Sequence, residues 1–506
     1  MAQNLQSINL VAPAFQGINT EDSPLAQDTS FAEIADNAII DRQGRLASRQ
    51  GNEIITTTKT VLGTDYIHNI HEFYDSAGNE VIFSTGNNKI MTGTTTLVDA
   101  TPASYTITAN DWKIVNFNDH AYFFQRGYEP LVYSNSLGAV TKMTAVSGSS
   151  VTSNQYCHEV IAGFGRLWVV GTSSNDTTIY WSDLLDGDDF SGGSSGSIDV
   201  SKAWPDGADK VTALAAHNGF LVVFGEHSIL VYANPETPAS MALSDTVSGV
   251  GCIDRKTVQS IGTDLLFLSD DGLRSLGRVI QEKSLPVSDA SRNVKQDLIG
   301  KLSVKTSPAT SVYSPENYFY LLGLPDSNLI YCFDLRGRLE NGSFRVTKWP
   351  SVNFKSFARD RNGDVYIGTV DGIGKYNGYD DNTSSYIFRY SSPGLTFGDA
   401  SKLKLLKKIR PTIIGGNNSD IILSWTYDFS VQANTSRFRV GTSTPGFYGE
   451  SEYTAVEFTL GDLISRKSLN CTGNGSVVSV GLQTEVNGNS ISLQEMNVLA
   501  LIGKTV

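Results

Sequence analysis

The sequence predicts an all-β protein built around a β-propeller of about six or seven blades. A short apolar strand, a turn rich in Gly, Asn or Asp, and a second apolar strand recur at intervals of about 45 residues, close to the length of a four-stranded propeller blade. The chain also contains 47 Gly against 15 Pro, and only 18% of its residues are charged. This composition suits many short strands joined by tight turns.

The recurring unit can be followed along one continuous part of the chain. Between residues 56 and 385 it occurs at 73–83, 116–124, 162–171, 216–225, 261–268, 318–333 and 357–376. A single unit would leave an apolar face exposed, and radial stacking of neighbouring units buries that face. Because a turn can imitate a blade boundary, six and seven blades both remain possible.

Two other regions flank the predicted propeller of residues 56–385. Residues 1–55 are predicted to supply either a strand that closes the ring or an arm that packs against another subunit. Within them, Ser30–Glu33 fits a capping box and predicts a short helix. Residues 386–506 contain strands of alternating polarity, which indicate a second β domain of sandwich or barrel type.

Two segments interrupt the repeating units. Asp186–Ser197 is rich in Gly, Ser and Asp, and we interpret it as an exposed loop that could contact another protein or act as a gate. Val287–Leu302 is predicted to be a helix, capped by Ser288, because Val294, Leu298 and Leu302 recur at four-residue spacing.

The overall charge and the cysteines limit the classes of function. A formal net charge of −13 disfavours non-specific wrapping of nucleic acid. The four cysteines are widely separated and form no Cys-x-x-Cys pair, so we expect buried free thiols. The N-terminus lacks the pattern of a secretory signal, and no apolar run approaches the ~20 residues of a membrane span. We therefore expect synthesis and folding in a cytosol.

The sequence contains no recognisable catalytic motif. A Gly-x-Ser-x-Gly elbow, a phosphate-binding loop, a His-Glu-x-x-His motif and a dinucleotide fingerprint are all missing. His68 and His71 lack an adjacent third ligand, so ordinary histidines are favoured over a metal site. Asp360-x-Asn362-x-Asp364 begins like a calcium loop but has no Gly at its sixth place, and a blade turn is favoured. We predict no catalytic, cofactor-binding or metal-ligating residues.

Three charged or turn segments leave alternatives open. Asp183–Asp189 is favoured as a solvated loop over a weak cation site. Ser269–Gly272 resembles the turn found in sialidase-type propellers only weakly. Lys402–Arg410 holds five basic residues in nine. It is predicted to be an amphipathic strand or helix with a solvated basic face, and its alternative is a contact for phosphate or an acidic partner.

A series of short motifs in the N-terminal region and the third unit carries a family resemblance. An Ala-x-Asn segment at Ala35–Asn37 precedes a Gly-x-Leu-x-x-Arg-x-Gly segment at Gly44–Gly51, and both follow Phe15–Asn19 and Ser23–Ala26. The third unit adds Gly165–Val169 and Ile179–Asp183. This order resembles the tail nozzle and tail hub proteins (tail tubular protein B-like) of short-tailed bacteriophages.

The resemblance implies a structural, non-enzymatic virion protein that needs no cofactor. Family members form a six-fold ring below the portal and its adaptor ring, extend the DNA conduit, and contact fibres or spikes. The implied partners are therefore other copies of the chain, the adaptor ring, fibres or spikes, and double-stranded DNA that passes without sequence-specific binding. The implied location is the virion tail, after synthesis in the host cytoplasm.

A hypothesis about charge and two rival functions follow. We expect the lumen of such a ring to be acidic or neutral, with Lys404, Lys407 and Lys408 facing neighbouring subunits or partners. The first rival is a glycosidase-type propeller enzyme, which needs two carboxylates about 5–9 Å apart. The second is a generic protein-binding propeller, which predicts a monomer with an aromatic-rimmed central pocket.

Overall fold

The computed structural model describes residues 5–12, 14–262, 264–277, 289–441 and 464–505. Seven antiparallel sheets surround one axis in these ranges: six four-stranded blades and one three-stranded sheet. We number them ring sheets 1 to 7 in chain order, the three-stranded one being ring sheet 5. All seven strand-turn-strand units predicted from the sequence lie in these sheets, one in each.

The strands of the ring follow one another along the chain. Ring sheet 1 comprises Asn69–Tyr74, Glu80–Gly86, Lys89–Thr92 and Val98–Asp99, and ring sheet 2 comprises Lys113–Phe117, His120–Phe124, Leu131–Tyr133 and Thr141–Lys142. Ring sheet 3 comprises Glu159–Gly163, Arg166–Val170, Thr178–Trp181 and Gly196–Asp199, and ring sheet 4 comprises Val211–His217, Phe220–Gly225, Ser228–Ala233 and Ala242–Ser248. Ring sheet 5 comprises Gln259–Ser260, Leu265–Ser269 and Gly272–Ser275. Ring sheet 6 comprises Thr310–Ser314, Phe319–Leu324, Leu329–Arg338 and Phe344–Trp349, and ring sheet 7 comprises Ser356–Arg359, Val365–Thr369, Gly372–Tyr376 and Asn52–Ile54.

The apolar faces of neighbouring ring sheets are buried against each other. Phe83 of ring sheet 1 meets Phe123 of ring sheet 2 edge to face, with ring centroids 5.1 Å apart. Phe224 of ring sheet 4 meets Phe267 of ring sheet 5 in a tilted arrangement at 4.9 Å. Such aromatic pairs add about 0.5–1.5 kcal/mol beyond the burial of their surface. The stacking that the repeating pattern predicted is therefore the source of the propeller core.

Tight turns join the two inner strands of several ring sheets. Asn118 and Asp119 both have positive φ angles, 47° and 59°, and Asn218 and Gly219 have 48° and 79°. Two consecutive residues with positive φ are typical of the hairpin turn whose twist matches the flanking strands. The Asn, Asp and Gly residues that punctuate the sequence are thus required by the backbone geometry.

The second β unit consists of two sheets that share a core, which we call sandwich sheets A and B. Sandwich sheet A continues from the last strand of ring sheet 6 through Ile34–Asp36, Tyr386–Ser391, Val478–Val486, Asp420–Tyr427 and Asn434–Arg439. Sandwich sheet B contains Leu5–Leu10, Ala38–Ile40, Leu46–Ser48, Lys402–Gly415, Ile464–Arg466, Leu469–Asn470, Asn474–Gly475 and Ile491–Thr505. One hydrophobic cluster joins Leu406 and Val498 of sheet B to Leu423 and Leu482 of sheet A.

The N-terminal residues take part in both units. Asn52–Ile54 pairs with Gly372–Tyr376 and completes ring sheet 7. Leu5–Leu10 instead pairs with the C-terminal strand Ile491–Thr505. Ile34–Asp36 lies between the last strand of ring sheet 6 and Tyr386–Ser391.

The helix predicted from the capping box is wrong. The Ser30 hydroxyl donates to Asp28 at 2.7 Å, and Ile34–Asp36 is a strand. Strands on both sides satisfy its backbone groups and bury Ala35, so tertiary pairing overrides the local capping signal.

The second predicted helix is shorter than expected. The α-helix runs over Lys295–Leu302, after a 3-10 turn at Arg292–Val294. Val294, Leu298 and Leu302 are buried, as their spacing indicated. The proposed cap, Ser288, lies outside the described residues.

Candidate functional site at the mouth of the propeller

The candidates identified from the sequence do not form one site. His68 lies 3.3 Å from an Asp65 oxygen, whereas His71 is paired with Asn116 at 2.9 Å. Asp360 and Asp364 lie in the hairpin turn between two strands of ring sheet 7, as predicted. Across the described ranges, no three His, Cys, Asp or Glu side chains converge in a way that could hold a metal ion.

The loop of Asp186–Ser197 is exposed or half-buried except at Gly187, as predicted, and hydrogen bonds connect it back to ring sheet 3. Asp183 accepts hydrogen bonds from the Ser194 backbone and hydroxyl groups, both at 2.8 Å. Gly196–Asp199 then forms the fourth strand of that sheet. Within Asp183–Asp189, the carboxylates of Asp183 and Asp189 are used for such loop contacts.

All four cysteines are free and buried, as the sequence analysis predicted. Burial raises the pKa of the Cys252 thiol to about 12 and that of Cys471 to about 11. Thiols with such pKa values are poor nucleophiles at neutral pH.

No helix in the described ranges is both long and apolar enough to cross a bilayer.

Residues that immediately precede the inner strands meet at one end of the propeller axis. Every ring sheet contributes at least one such residue to two adjoining cavities of about 230 and 220 Å³. In order from ring sheet 1 to 7 they are His68, Asp111, His158, Lys210, Lys256, Pro308 and Lys355. We call this end the mouth of the propeller.

Two side chains of the 3-10 turn Arg255–Thr257, which precedes ring sheet 5, cross the axis at the mouth. Arg255 is 7% exposed, and its Nη2 lies 2.8 Å from the carbonyl oxygen and 2.9 Å from a carboxylate oxygen of Asp111. Lys256 contacts the other Asp111 oxygen at 2.9 Å and the His68 carbonyl at 3.3 Å. These contacts link ring sheet 5 to ring sheets 1 and 2 on the opposite side of the ring.

A buried carboxylate lies beneath this crossing. Glu159 is fully buried, with Lys113 Nζ at 3.5 Å and Arg255 Nη1 at 3.7 Å. Burial raises the pKa of Glu159, and the two cations partly oppose that effect. Distances this long exceed those of strong direct hydrogen bonds.

The carboxylates at the mouth are paired with cations. Burial raises the pKa of Asp111, but Arg255 and Lys256 outweigh it and hold that pKa well below its usual value. The other three pairs are Asp176 with Arg126 at 2.6 Å, Glu226 with Lys210 at 2.8 Å, and Asp254 with Lys305 at 2.5 Å. Burial also raises the pKa of Asp254, although Lys305 opposes that effect.

The sequence analysis did not single out Asp111, Arg255 or Lys256. Each precedes an inner strand by only a few residues, and no motif marks it. The signal that could have identified them is positional: residues just before the inner strand of every repeat must meet at the same end of a propeller.

The basic segment Lys402–Arg410 belongs to the long strand Lys402–Gly415 of sandwich sheet B. Lys404 is fully buried, and its Nζ donates to the carbonyls of Asp399 and Ser476. The expectation that Lys404 faces a partner is therefore wrong, because its ammonium group is satisfied inside the unit. Lys407 and Lys408 are half-buried, and Arg410 is exposed.

A groove of about 420 Å³ adjoins Arg410 on the outer face of sandwich sheet B. Arg466 and Lys467 also line the groove, and Glu495 is the acidic residue in its lining. Over the whole sequence, residues 386–506 contain 11 Lys and Arg and 9 Asp and Glu, which gives +2 and leaves −15 for residues 1–385. Residues 386–506 are thus slightly basic, whereas the rest of the chain, which includes the N-terminal strands of both sandwich sheets, is acidic.

The N-terminal motifs converge at the joint between the propeller and the sandwich. Arg49 is 1% exposed, and it binds Asp381 at 2.8 and 2.6 Å and the side-chain amide oxygen of Asn37 at 3.0 Å. Its guanidinium lies 4.1 Å from the centre of the Tyr386 ring and 5.8 Å from that of Trp349. One side chain therefore connects the N-terminal segment, ring sheet 6 and sandwich sheet A.

At two positions of the N-terminal motifs, the available space or the backbone conformation restricts which residue type can be present. A Cβ atom at Gly51 would lie 1.7 Å from the Asp380 carbonyl oxygen, so no other residue fits without a backbone shift. Asn37 has a φ of 51°, and its side-chain amide donates to the Ile387 carbonyl at 2.8 Å. These motif residues have structural rather than catalytic surroundings.

The motif in the third unit has the same character. Arg166 donates to the Ser182 carbonyl at 2.8 Å, and the Ser182 hydroxyl accepts from the Leu167 backbone at 3.0 Å. The rings of Trp168 and Trp181 lie 5.3 Å apart. These contacts hold the strands of ring sheet 3 together.

No family model and no curated protein matches the sequence. Solved structures with a similar fold include the extracellular domain of a hybrid two-component system of B. thetaiotaomicron, at 11% identity, TM-score 0.42 and 67% coverage of this chain. The chain spans 41% of that domain. The WD40 propeller domain of Doa1 gives 11% identity, TM-score 0.37, and coverage of 64% of this chain and 96% of its own.

A third similar structure is the Neurospora crassa Pan2 WD40 domain, with 10% identity and TM-score 0.37 over 65% of this chain and 95% of that domain. The Doa1 domain is a WD40 β-propeller, and the Pan2 domain is a WD40 domain. Similarities this weak carry no argument about the activity or partners of the chain.

Proposed function

We propose that this chain is a structural, non-enzymatic subunit of the tail nozzle or hub of a short-tailed bacteriophage. The observation that carries the proposal is the joint around Arg49. The two N-terminal motifs behind the family resemblance meet there, in a buried network that fixes the sandwich against the propeller. A fixed connection between the two units is consistent with a subunit that serves as part of a conduit.

The charge distribution supports assembly through unlike faces. The outer face of sandwich sheet B is basic around Arg410, Arg466 and Lys467, whereas residues 1–385 carry a formal charge of −15. Contacts between unlike faces of identical subunits close into rings when the rotation is suitable. The basic face is the proposed contact for a neighbouring subunit or for the adaptor ring, and the lumen is proposed to be acidic or neutral.

Electron microscopy of the tagged protein, recovered from its native lysate with its bound partners, tests this proposal. We expect six-fold rings with an open central hole, stacked on a wider ring. Isolated compact discs without a ring or virion partner would contradict it. A screen for glycan cleavage would then be the next measurement.

A further inference from the structure

The mouth of the propeller is a cavity system that the proposed nozzle role leaves unused. Its two cavities share Asp111, Lys256 and Pro308, so they adjoin each other on the axis. Because every ring sheet contributes to the mouth, its shape is fixed by the rigid ring rather than by one loop.

One cation at the mouth has no ion pair among the described residues. The four lining carboxylates, Asp111, Asp176, Glu226 and Asp254, each have a cationic partner. Lys355 also lines the second cavity, but no ion pair joins it to a carboxylate of the described residues. It therefore has capacity for an additional anion, and the Asp326 carboxylate lies one hydrogen bond beyond its Ser307 contact.

The surroundings of Lys355 orient its ammonium group. Its Nζ lies 3.1 Å from the Ser307 hydroxyl and 5.8 Å from the centre of the Tyr66 ring. The Ser307 hydroxyl itself donates to Asp326 at 2.6 Å, so it can accept from Lys355. An ammonium group has three donors, and this contact uses one of them.

A second donor at the mouth makes an ion pair but no direct hydrogen bond within the described residues. Arg255 is more than nine-tenths buried, and its Nη2 is bound to Asp111. Its Nη1 is buried without a hydrogen-bond partner and has Glu159 only at 3.7 Å. An unpaired buried donor costs about 1–3 kcal/mol, and a ligand oxygen or a water that reached it would remove that cost.

We propose that the mouth of the propeller binds a carboxylate side chain on an acidic segment of a partner protein. Lys355 is the primary cation, and Arg255 lines the adjoining cavity. Cavities of about 220–230 Å³ accommodate individual side chains. Cavities of this size admit a single side chain rather than a continuous phosphate backbone, which favours a peptide over nucleic acid.

Binding of short peptides to the purified full-length protein tests this proposal. The probe is a fluorescein-labelled Glu-rich peptide, and its control has Gln at every Glu position. Fluorescence anisotropy should show that the Glu peptide binds at least about 10-fold more tightly, since one charge-assisted hydrogen bond exceeds the ~1.4 kcal/mol that corresponds to a factor of ten. Equal affinity for the two peptides would overturn the proposal.

Variants locate the binding site. Lys355→Gln should weaken binding of the Glu peptide about 10-fold, and Lys355→Arg should preserve most of it because the charge remains. The matched control is Lys202→Gln, which removes an exposed lysine from outside the mouth. Unchanged binding in a folded Lys355→Gln variant would overturn the proposal, as would a single-stranded oligonucleotide that displaces the Glu peptide.

This inference is independent of the nozzle proposal. Lys355 lines the mouth and not the groove beside Arg410, so Lys355→Gln should leave ring formation unchanged. Failure of peptide binding with intact rings would remove only the inference about the mouth. Peptide binding by a protein that forms no rings would remove only the nozzle proposal.

Discussion

Arg49 is the residue on which the relation between the two units most depends. A buried guanidinium is favourable only when its hydrogen bonds and charge are satisfied. Asp381 supplies two carboxylate oxygens, Asn37 supplies an amide oxygen, and Tyr386 supplies an aromatic face. Lysine could provide the charge but not the planar, bidentate geometry.

Arg49→Lys should therefore lower the free energy of unfolding by about 2–3 kcal/mol, because several charge-assisted hydrogen bonds are lost together. Urea denaturation followed by tryptophan fluorescence measures the effect. Arg42→Lys is the matched control, since Arg42 is exposed and such surface changes stay within about 0.5 kcal/mol. Similar midpoints for the two variants would contradict the role assigned to Arg49.

His71 is expected to make stability depend on pH. Burial, together with nearby Lys113, lowers its folded-state pKa to about 4 from an ordinary value of 6.5. The unfolded chain thus binds a proton between about pH 6.5 and about pH 4 that the folded chain does not. The stability contributed by neutral His71 is complete above this window and is lost as the pH falls through it.

His71→Gln should reduce the loss of stability between pH 7 and pH 4.5 by about 1–2 kcal/mol relative to the unchanged protein. Thermal unfolding at both pH values gives the comparison. Because the carboxylates are the same in both proteins, the difference isolates His71. Parallel losses of stability in the two proteins would show that its pKa is not depressed.

At the scale of elements, close backbone approaches and tight turns determine which substitutions are tolerated. Gly51 lies against the backbone of Asp380, where even a methyl group would collide. Gly300 instead lies within the helix Lys295–Leu302, and a Cβ atom there would meet no described heavy atom within 4 Å beyond the helix's own backbone. The same chemical change should therefore have opposite effects at the two positions.

Gly51→Ala should destabilise the protein by about 3 kcal/mol, as expected when a buried group is forced against neighbouring atoms. Gly300→Ala should stabilise it by about 0.5–1 kcal/mol because Ala has the higher helix propensity. Chemical denaturation of both variants under identical conditions is the measurement. Two changes of the same sign would contradict this reasoning.

At the scale of the whole molecule, negative charge predominates in the propeller and positive charge on the outer face of sandwich sheet B. A contact between such faces gains from electrostatic complementarity, which acts mainly on specificity and on the rate of association. It also weakens as salt is raised, because exposed charges are screened over about 8 Å at physiological ionic strength.

The double variant Arg410→Glu and Lys467→Glu should fold normally but fail to form rings or to capture the adaptor ring. Sedimentation velocity and electron microscopy measure assembly, and thermal unfolding confirms that the fold is intact. Lys202→Glu, which changes an exposed lysine on the propeller, is the control. Normal ring formation by the double variant would exclude this face as the contact.

The sequence by itself determined the features that repeat or that are local. The seven strand-turn-strand units, the positive-φ turns such as Asn218–Gly219 and the four buried free thiols follow from patterns within short windows, and the structure contains all of them. Local periodicity is informative here because each ring sheet contacts mainly its neighbours.

Only the tertiary structure decided how distant segments combine. Ile34–Asp36 became a strand despite its capping signal because strands from residues 344–349 and 386–391 pair with it. Lys404 became an internal residue because two carbonyls, one of them distant in sequence, satisfy its ammonium group. The mouth brings together residues as far apart in the sequence as His68 and Lys355. No local sequence pattern predicts this contact, because residues so distant along the chain come together only when the ring closes.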